Sequence, residues 1–107
     1  MPVAMQVLDQ EAWCWTLGQD GDVLLFDAHC SHSAFDYTFL IALDASETAR
    51  FQAEGRAYLT KLAEDIHMSA PGVRGNSSPY LLRRLSAQQD EAFTEAVNAW
   101  REGLSAS

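Results

Sequence analysis

The sequence has no lysine or arginine before Arg50, although eight acidic residues precede that position. From Arg50 onward seven basic residues balance seven acidic ones, so the N-terminal half carries the whole net charge of −8. An acidic field of this kind repels nucleic acid and anionic membranes and attracts cationic surfaces. The charge distribution therefore argues against nucleic-acid and membrane partners and favours a basic protein as partner.

Cysteines, long apolar runs and signal-peptide features are also scarce. Two cysteines do not make a disulfide framework, and no apolar run approaches the roughly 18 residues of a membrane span. Residues 1–13 contain neither a basic residue nor a long apolar stretch. We therefore expect reduced thiols and a cytoplasmic location, and the length of 107 residues suits one domain, 1–107.

The first part of the chain has the hydrophobic pattern of strands. Alternation with a period of two covers residues 12–43, and a third strand is predicted at about 35–43. Short connections favour neighbouring antiparallel strands. The pattern therefore predicts a three-stranded antiparallel meander over about 12–43 with one buried face.

Asp20-Gly21 is a signal for a two-residue hairpin turn, because both turn positions need a positive φ. A turn at these residues places Trp15 opposite Phe26. The same register divides the side chains between two faces. The inner face, expected to be buried, carries Trp13, Trp15, Leu17, Leu24, Phe26 and Ala28, and the outer face carries Cys14, Thr16, Val23, Leu25, Leu40 and Ala42.

Helical periodicity covers the remainder of the chain and predicts an α+β fold in which helices cover one face of the sheet. Asp44 or Ser46 is the expected N-cap of the first helix. Ser86, with Gln89 three residues later, opens the last helix, and Gly103 is expected to end it. The predicted helices span about 46–69, 79–85 and 87–102, and Gly55 inside the first suggests a close helix contact.

The chain contains one cluster with metal-ligand chemistry, formed by His29, Cys30 and His32, with Cys14 one strand away. Neighbouring residues on a strand point to opposite faces, so His29 and Cys30 do not converge on one ion. No paired metal-ligand spacing supports a site. We predict no metal site and no cofactor, and metal analysis is the test that would reverse this.

No catalytic motif is present either. Nucleophile-elbow, papain-like and phosphate-loop signatures are all missing, so we do not expect an enzyme. The segment 69–79 has two prolines and two glycines and is expected to form a loop. It is interpreted as a plain connector or as a recognition loop that presents Arg74 and Asn76.

A strand that runs into a long amphipathic helix covers the segment SAFDYTFLIALDASETARFQAEGRAYLTKLAEDI. Within a small acidic domain, this layout resembles bacterial immunity proteins of polymorphic toxin systems. The resemblance concerns architecture and charge over residues 12–102. It implies a non-catalytic inhibitor that neutralises a cognate toxin acting in the cytoplasm.

Acidic residues of the N-terminal half and the 69–79 loop are the predicted contacts for such a basic partner: Asp20, Asp22, Asp27, Asp36, Arg74 and Asn76. The alternative is a self-associating accessory domain that buries its outer face in a homodimer. A monomer that binds a basic partner favours the inhibitor, and self-association in isolation favours the alternative.

Overall fold

The fold is a four-stranded antiparallel sheet with helices on both of its faces. The computed structural model describes residues 5–11, 14–32, 35–69, 80 and 83–106, with the backbone alone described for 31–36 and 104–106. The α+β class is therefore confirmed. The elements in chain order are β1 (Gln6–Glu11), β2 (Trp15–Asp20), β3 (Val23–His32), β4 (Phe35–Ala42), α1 (Ala45–Glu54), α2 (Arg56–Ser69) and α3 (Ala87–Ala106).

The sheet is a meander in the order β1-β2-β3-β4. The three predicted strands are present as β2 to β4, but the expected total of three is wrong because β1 adds an edge strand. β1 alternates between exposed and half-buried residues and contains few apolar ones. Its pairing with β2 also shifts register between Val7 and Asp9. An irregular polar edge strand carries little of the hydrophobic alternation by which strands are recognised.

The turn between β2 and β3 lies one residue later than predicted. Asp20 pairs with Val23, so Gly21 and Asp22 form the loop, and Gly21 supplies its positive φ of 62°. The predicted pairing of Trp15 with Phe26 is wrong, because Trp15 faces Ala28. The register has moved by two residues, so the side chains from Trp15 to Asp20 and from Val23 to Ala28 stay on their predicted faces.

The inner face of the sheet packs against α2. Side chains from β2, β3 and β4 join one face of this helix in a single buried cluster. Its buried members are Trp15, Leu17, Phe26, Ala28, Cys30, Phe39, Ile41, Leu43, Tyr58, Leu59, Leu62, Ala63 and Ile66. Alternation along the strands and the three- and four-residue spacing of the helix thus meet in one core.

The predicted helix 46–69 is divided in two at Gly55. This residue has a φ of 69°, and nothing lies within 4 Å of the position its Cβ would occupy. The expectation of a close helix contact at Gly55 is therefore wrong, because the glycine ends α1 in a conformation that other residues rarely adopt. Asp44 is confirmed as the N-cap: its side chain accepts from the Glu47 N–H at 2.8 Å, and the Glu47 side chain accepts from its N–H at 3.0 Å.

Residues 79, 81 and 82 of the predicted helix 79–85 lie outside the described residues. Arg83 has a 3-10 helical conformation, and its N–H donates to the Tyr80 carbonyl at 2.9 Å. At the end of this predicted helix the chain is extended rather than helical, since Arg84 forms an isolated antiparallel bridge with Ile41. The Leu85 N–H also donates to the Leu40 carbonyl at 3.1 Å. These contacts guide the chain past the edge strand β4 toward the outer face of the sheet.

The last helix lies on the outer face, so the prediction that all helices cover one face is wrong. Phe93 of α3 is buried there against Leu25 and Leu40. Both leucines are about 3% exposed. The surface on which the homodimer alternative depended is therefore occupied by α3 at these positions.

The ends of α3 agree only partly with the sequence. Ser86 and Gln89 exchange the expected reciprocal hydrogen bonds at the N-terminus, at 3.1 and 3.2 Å. Gly103 does not end the helix, which continues to Ala106. None of the helices in the described part of the chain is both long and apolar enough to cross a membrane.

Candidate functional site

The outer face of the sheet has two chemically different halves. Near the β2–β3 hairpin it carries Leu25 and Leu40, which α3 covers with Phe93. Gly18 allows this contact, because a Cβ there would lie 2.6 Å from Phe93 Cε1. The helix therefore rests on the apolar half of the outer face.

The other half of the outer face is polar. Thr16 lies opposite Asp27 across β2 and β3, and His29 lies opposite Thr38 across β3 and β4. Residues two apart on a strand share a face, so these side chains form one polar patch that extends over three strands. They make up the floor of the candidate site.

A cleft of about 540 Å³ lies between this floor and the C-terminal half of α3. Its volume is in the range of small-molecule and side-chain binding sites. Side chains of α3 form one wall, and residues from β1 and from the start of β2 form the opposite end. The lining residues beyond the floor are Gln10, Glu11, Cys14, Trp15, Phe93, Thr94, Val97, Asn98 and Arg101.

Asp27 is the most perturbed group in the cleft. Burial in the cleft, with a further contribution from the negative charge of Asp90, raises the pKa of its carboxyl to about 7, while a hydrogen bond from Thr38 opposes the shift. Its Oδ1 atom is buried and has no hydrogen-bond partner among the residues that the structure describes. An unsatisfied buried oxygen of this kind costs free energy that a ligand with N–H donors would recover.

A side-chain hydrogen bond orders the floor next to Asp27. The Gln10 Nε2 atom donates to Thr16 Oγ1 at 2.8 Å. Thr16 is only 8% exposed, so this bond joins the edge strand β1 to the floor in a nearly buried setting. The hydroxyl of Thr16 is held in place beside the carboxyl of Asp27.

The predicted acidic contacts do not form one cluster. Asp20 and Asp22 lie at the β2–β3 turn, with Asp22 exposed. Asp27 lies in the cleft, four residues beyond Val23 and hence about 13 Å from the turn. Asp36 is placed by its backbone opposite Ser31, a further 13 Å or so along β3.

The predicted loop contacts Arg74 and Asn76 lie outside the described residues. The structure thus places Asp20, Asp22 and the backbone of Asp36 at different points along the sheet. Among the predicted contacts whose side chains are described, namely Asp20, Asp22 and Asp27, Asp27 is the one that lines the cleft.

The histidine and cysteine cluster is divided by the sheet, as the strand pattern predicted. Cys30 is fully buried in the inner core, whereas His29 lines the cleft on the opposite side. Within the residues that the structure describes, no group of three or more His, Cys, Asp and Glu side chains is placed to hold a metal ion. The side chain of His32 lies outside that description.

Both cysteines are free thiols. Cys14 was expected on the outer face, but it lies in the turn before β2, where it contacts the inner core and also lines the cleft. Burial raises the pKa of each thiol, and the carboxylates of Glu11 and Glu64 raise that of Cys14 further. A raised pKa leaves little thiolate at neutral pH, so neither cysteine is prepared as a nucleophile.

Three arginines are used within the protein itself. Arg50 pairs with Glu54 at 3.2 Å, and Arg83 binds Glu47 and the Ala42 carbonyl. Arg56 bridges the edge strand through Asp9 at 3.0 Å and Glu11 at 2.7 Å. In the described part of the chain, Asp20, Asp22 and Asp27 belong to none of these ion pairs.

Sequence reasoning selected Asp27 for its charge but missed the rest of the cleft, chiefly Thr16, Thr38 and Asn98. The polar alternation on the outer face was a usable signal, since Thr16 and Asp27 share a face in either hairpin register. The polar side chains of the outer face could not be recognised as the floor of a cleft while α3 was assigned to the inner face.

Comparisons with family models, with curated proteins and with solved structures found no match to this chain.

Proposed function

We propose that this protein is a non-catalytic inhibitor that binds a basic protein, in the manner of the bacterial immunity proteins that its architecture and charge resemble. The partner would be a cognate toxin acting in the cytoplasm. The observation that carries the proposal is the division of charge: within the described residues, Asp20 and Asp22 at the hairpin form no ion pair, whereas Arg50, Arg56 and Arg83 are paired with acids of the chain.

The hairpin contact rests on Asp20 and Asp22. Asp22 is exposed at the turn, and neither residue takes part in an ion pair among the described residues. Exposed carboxylates that are free of internal partners attract a cationic surface and accelerate its association. Asp27, Asp36, Arg74 and Asn76 complete the proposed contact set.

The test is capture of a partner by the full-length tagged chain from its native host at about 50 and 500 mM salt. We expect a basic protein in a one-to-one complex, retained less well at high salt, whose activity is blocked by added chain. Screening at high salt weakens exposed charge pairs much more than buried apolar contacts. Absence of a basic partner, or retention that does not depend on salt, would contradict the proposal.

A pair of matched variants locates the contact. Asp20→Lys with Asp22→Lys should slow association with the captured partner by roughly 10-fold or more. Glu64→Lys with Asp65→Lys makes the same change in net charge on exposed positions of α2 and should leave association nearly unchanged. An equal effect of both pairs would assign the attraction to net charge rather than to the hairpin.

A further inference from the structure

The cleft presents one buried acceptor atom to which no described residue donates a hydrogen bond. This atom is Asp27 Oδ1, and Thr16 lies opposite Asp27 on β2. Thr38 is a diagonal neighbour of Asp27 on β4, where Leu40 lies directly opposite it. Neighbouring strands are about 4.8 Å apart. A group bound at Oδ1 therefore lies within reach of the Thr16 hydroxyl on the neighbouring strand.

We propose that this cleft binds a single guanidinium group, supplied by an arginine side chain of the protein partner. The arginine as the source of that group rests on the proposed function, whereas the chemistry of the cleft does not. Asp27 would accept one hydrogen bond through Oδ1, and the Thr16 hydroxyl would accept another from a second N–H of the same group.

The charges around the cleft favour a cation at its floor. Glu11 is already paired with Arg56 at 2.7 Å, which leaves Asp27 as the acid without a cation among the lining residues. Arg101, the lining cation, is exposed on α3, so water screens its charge strongly. Charges act more strongly in a buried site than at the surface, and Asp27 therefore dominates at the floor.

The shape and lining of the cleft favour guanidinium over ammonium. Guanidinium carries five N–H donors in a plane and is weakly hydrated, whereas ammonium is a compact, strongly hydrated charge. Phe93 also lines the cleft, and guanidinium groups pack well against aromatic rings. A buried carboxyl oxygen with a neighbouring hydroxyl and an aromatic side chain therefore matches guanidinium more closely.

The binding test titrates methylguanidinium into the full chain, with methylammonium as the comparison, and follows the backbone amide signals by NMR. We expect methylguanidinium to shift signals of Thr16, Asp27 and Thr38 and to bind at least 5-fold more tightly than methylammonium. Asp27→Asn should weaken binding at least 10-fold, while Asp22→Asn at the exposed turn should leave it unchanged. Equal affinity for the wild type and Asp27→Asn would overturn the proposal.

A second pair of variants fills the cleft without touching the carboxyl. Thr94 is exposed and lines the cleft, whereas the exposed Glu95 next to it does not. Thr94→Trp should therefore weaken methylguanidinium binding at least 5-fold, and Glu95→Trp should not. Undiminished binding by a folded Thr94→Trp variant would place the guanidinium elsewhere.

The pH dependence provides a readout that simple loss of structure would not reproduce. Methylguanidinium affinity should rise about 5- to 10-fold from pH 6 to pH 8 as the Asp27 carboxyl ionises, and Asp27→Asn should lack the rise. The other titratable or charged groups around the site are Glu11, Cys14, His29, Asp90 and Arg101, and all of them remain in that variant. A rise of the same size in Asp27→Asn would assign the effect to one of them.

A last binding measurement identifies the source of the guanidinium group. A blocked Gly-Arg-Gly peptide should bind at least 5-fold more tightly than methylguanidinium, because the peptide backbone adds contacts at the rim. Equal affinity would overturn the arginine as the source. The hairpin variants Asp20→Lys and Asp22→Lys should not change probe binding, so failure of the cleft and failure of the proposed function are separately visible.

Discussion

The two faces of the sheet carry side chains of different character. The inner face is a continuous apolar core shared with α2, with Phe26, Phe39 and Ile41 fully buried. The outer face is apolar only where α3 lies on it, and beside the helix it has the polar floor that contains Asp27. The inner face serves mainly to stabilise the fold, whereas the outer face combines the packing of α3 with a polar cleft.

The largest expected effect comes from cutting a side chain out of the inner face. Phe39→Ala removes a fully buried ring and should lower the free energy of unfolding by about 3–5 kcal/mol. Chemical denaturation measures the loss. Hydrogen exchange should show reduced protection throughout β2, β3, β4 and α2.

The matched truncation on the outer face is Phe93→Ala. Hydrogen exchange in this variant should rise first in α3, because Phe93 is the buried anchor of that helix. Uniform loss of protection in both variants would break the distinction between the two faces.

The next effect concerns the pH dependence of stability. The pKa of Asp27 is raised to about 7 from an ordinary value of 3.8, so between these values the folded state holds a proton that the unfolded state has lost. The contribution of this group is complete below about pH 4 and is lost as pH rises through 7. Asp27→Asn should therefore be more stable than the wild type at pH 8, by on the order of 2–4 kcal/mol.

Thermal or urea unfolding from pH 4 to pH 8 measures this difference. Asp22→Asn, at the exposed turn, serves as the control and should keep the wild-type slope. An identical slope in Asp27→Asn would show that the floor of the outer face is not under electrostatic strain.

A smaller effect tests the contact between α3 and the sheet. The added Cβ of Gly18→Ala would lie 2.6 Å from Phe93 Cε1 and 3.0 Å from the Gln6 carbonyl oxygen. We expect a loss of about 1–3 kcal/mol, as for other overpacked sites. Gly103→Ala, with open space around its position, is the control and should be neutral or slightly stabilising.

A double-mutant cycle sharpens this result. Phe93→Leu should recover part of the loss in Gly18→Ala, because the smaller side chain makes room for the new methyl group. Strict additivity of the two changes would mean that Phe93 is not in contact with Gly18.

The smallest effects compare the helix caps on the two sides of the sheet. Asp44→Ala removes a bond of 2.8 Å to the Glu47 N–H, and Ser86→Ala removes one of 3.2 Å to the Gln89 N–H. We expect losses of about 1 kcal/mol for Asp44→Ala and about 0.5 kcal/mol for Ser86→Ala, by urea denaturation. The reverse order would show that α3 depends more on its cap than α1 does.

Local and periodic features were predictable from the sequence. The strand pattern assigned Trp15, Phe26 and Phe39 to one face, and the structure buries all three there. Asp44 was one of two expected caps, and the pairing of Ser86 with Gln89 was expected as well. These features depend on neighbours within about four residues, which the sequence displays directly.

Features that depend on distant parts of the chain were not predictable in the same way. The edge strand β1 has too few apolar residues to be recognised before its partner β2 is known. The β2–β3 turn lies one residue later than predicted because Gly21 can occupy either of its two central positions. The pairing of the whole strands decides which position it takes. The cleft around Asp27 was missed because it exists only when α3 lies beside the polar half of the outer face.

The sequence by itself determined the α+β class, the division of strand residues between two faces and the acidity of the N-terminal half. Only the tertiary structure decided which face α3 covers and that Asp27 becomes a buried carboxyl with one oxygen that has no hydrogen-bond partner in the described part of the chain. The physical reason is that both faces of the sheet offer apolar residues to an amphipathic helix. The choice between them depends on the path of the chain past β4 and on the space that Gly18 leaves for Phe93.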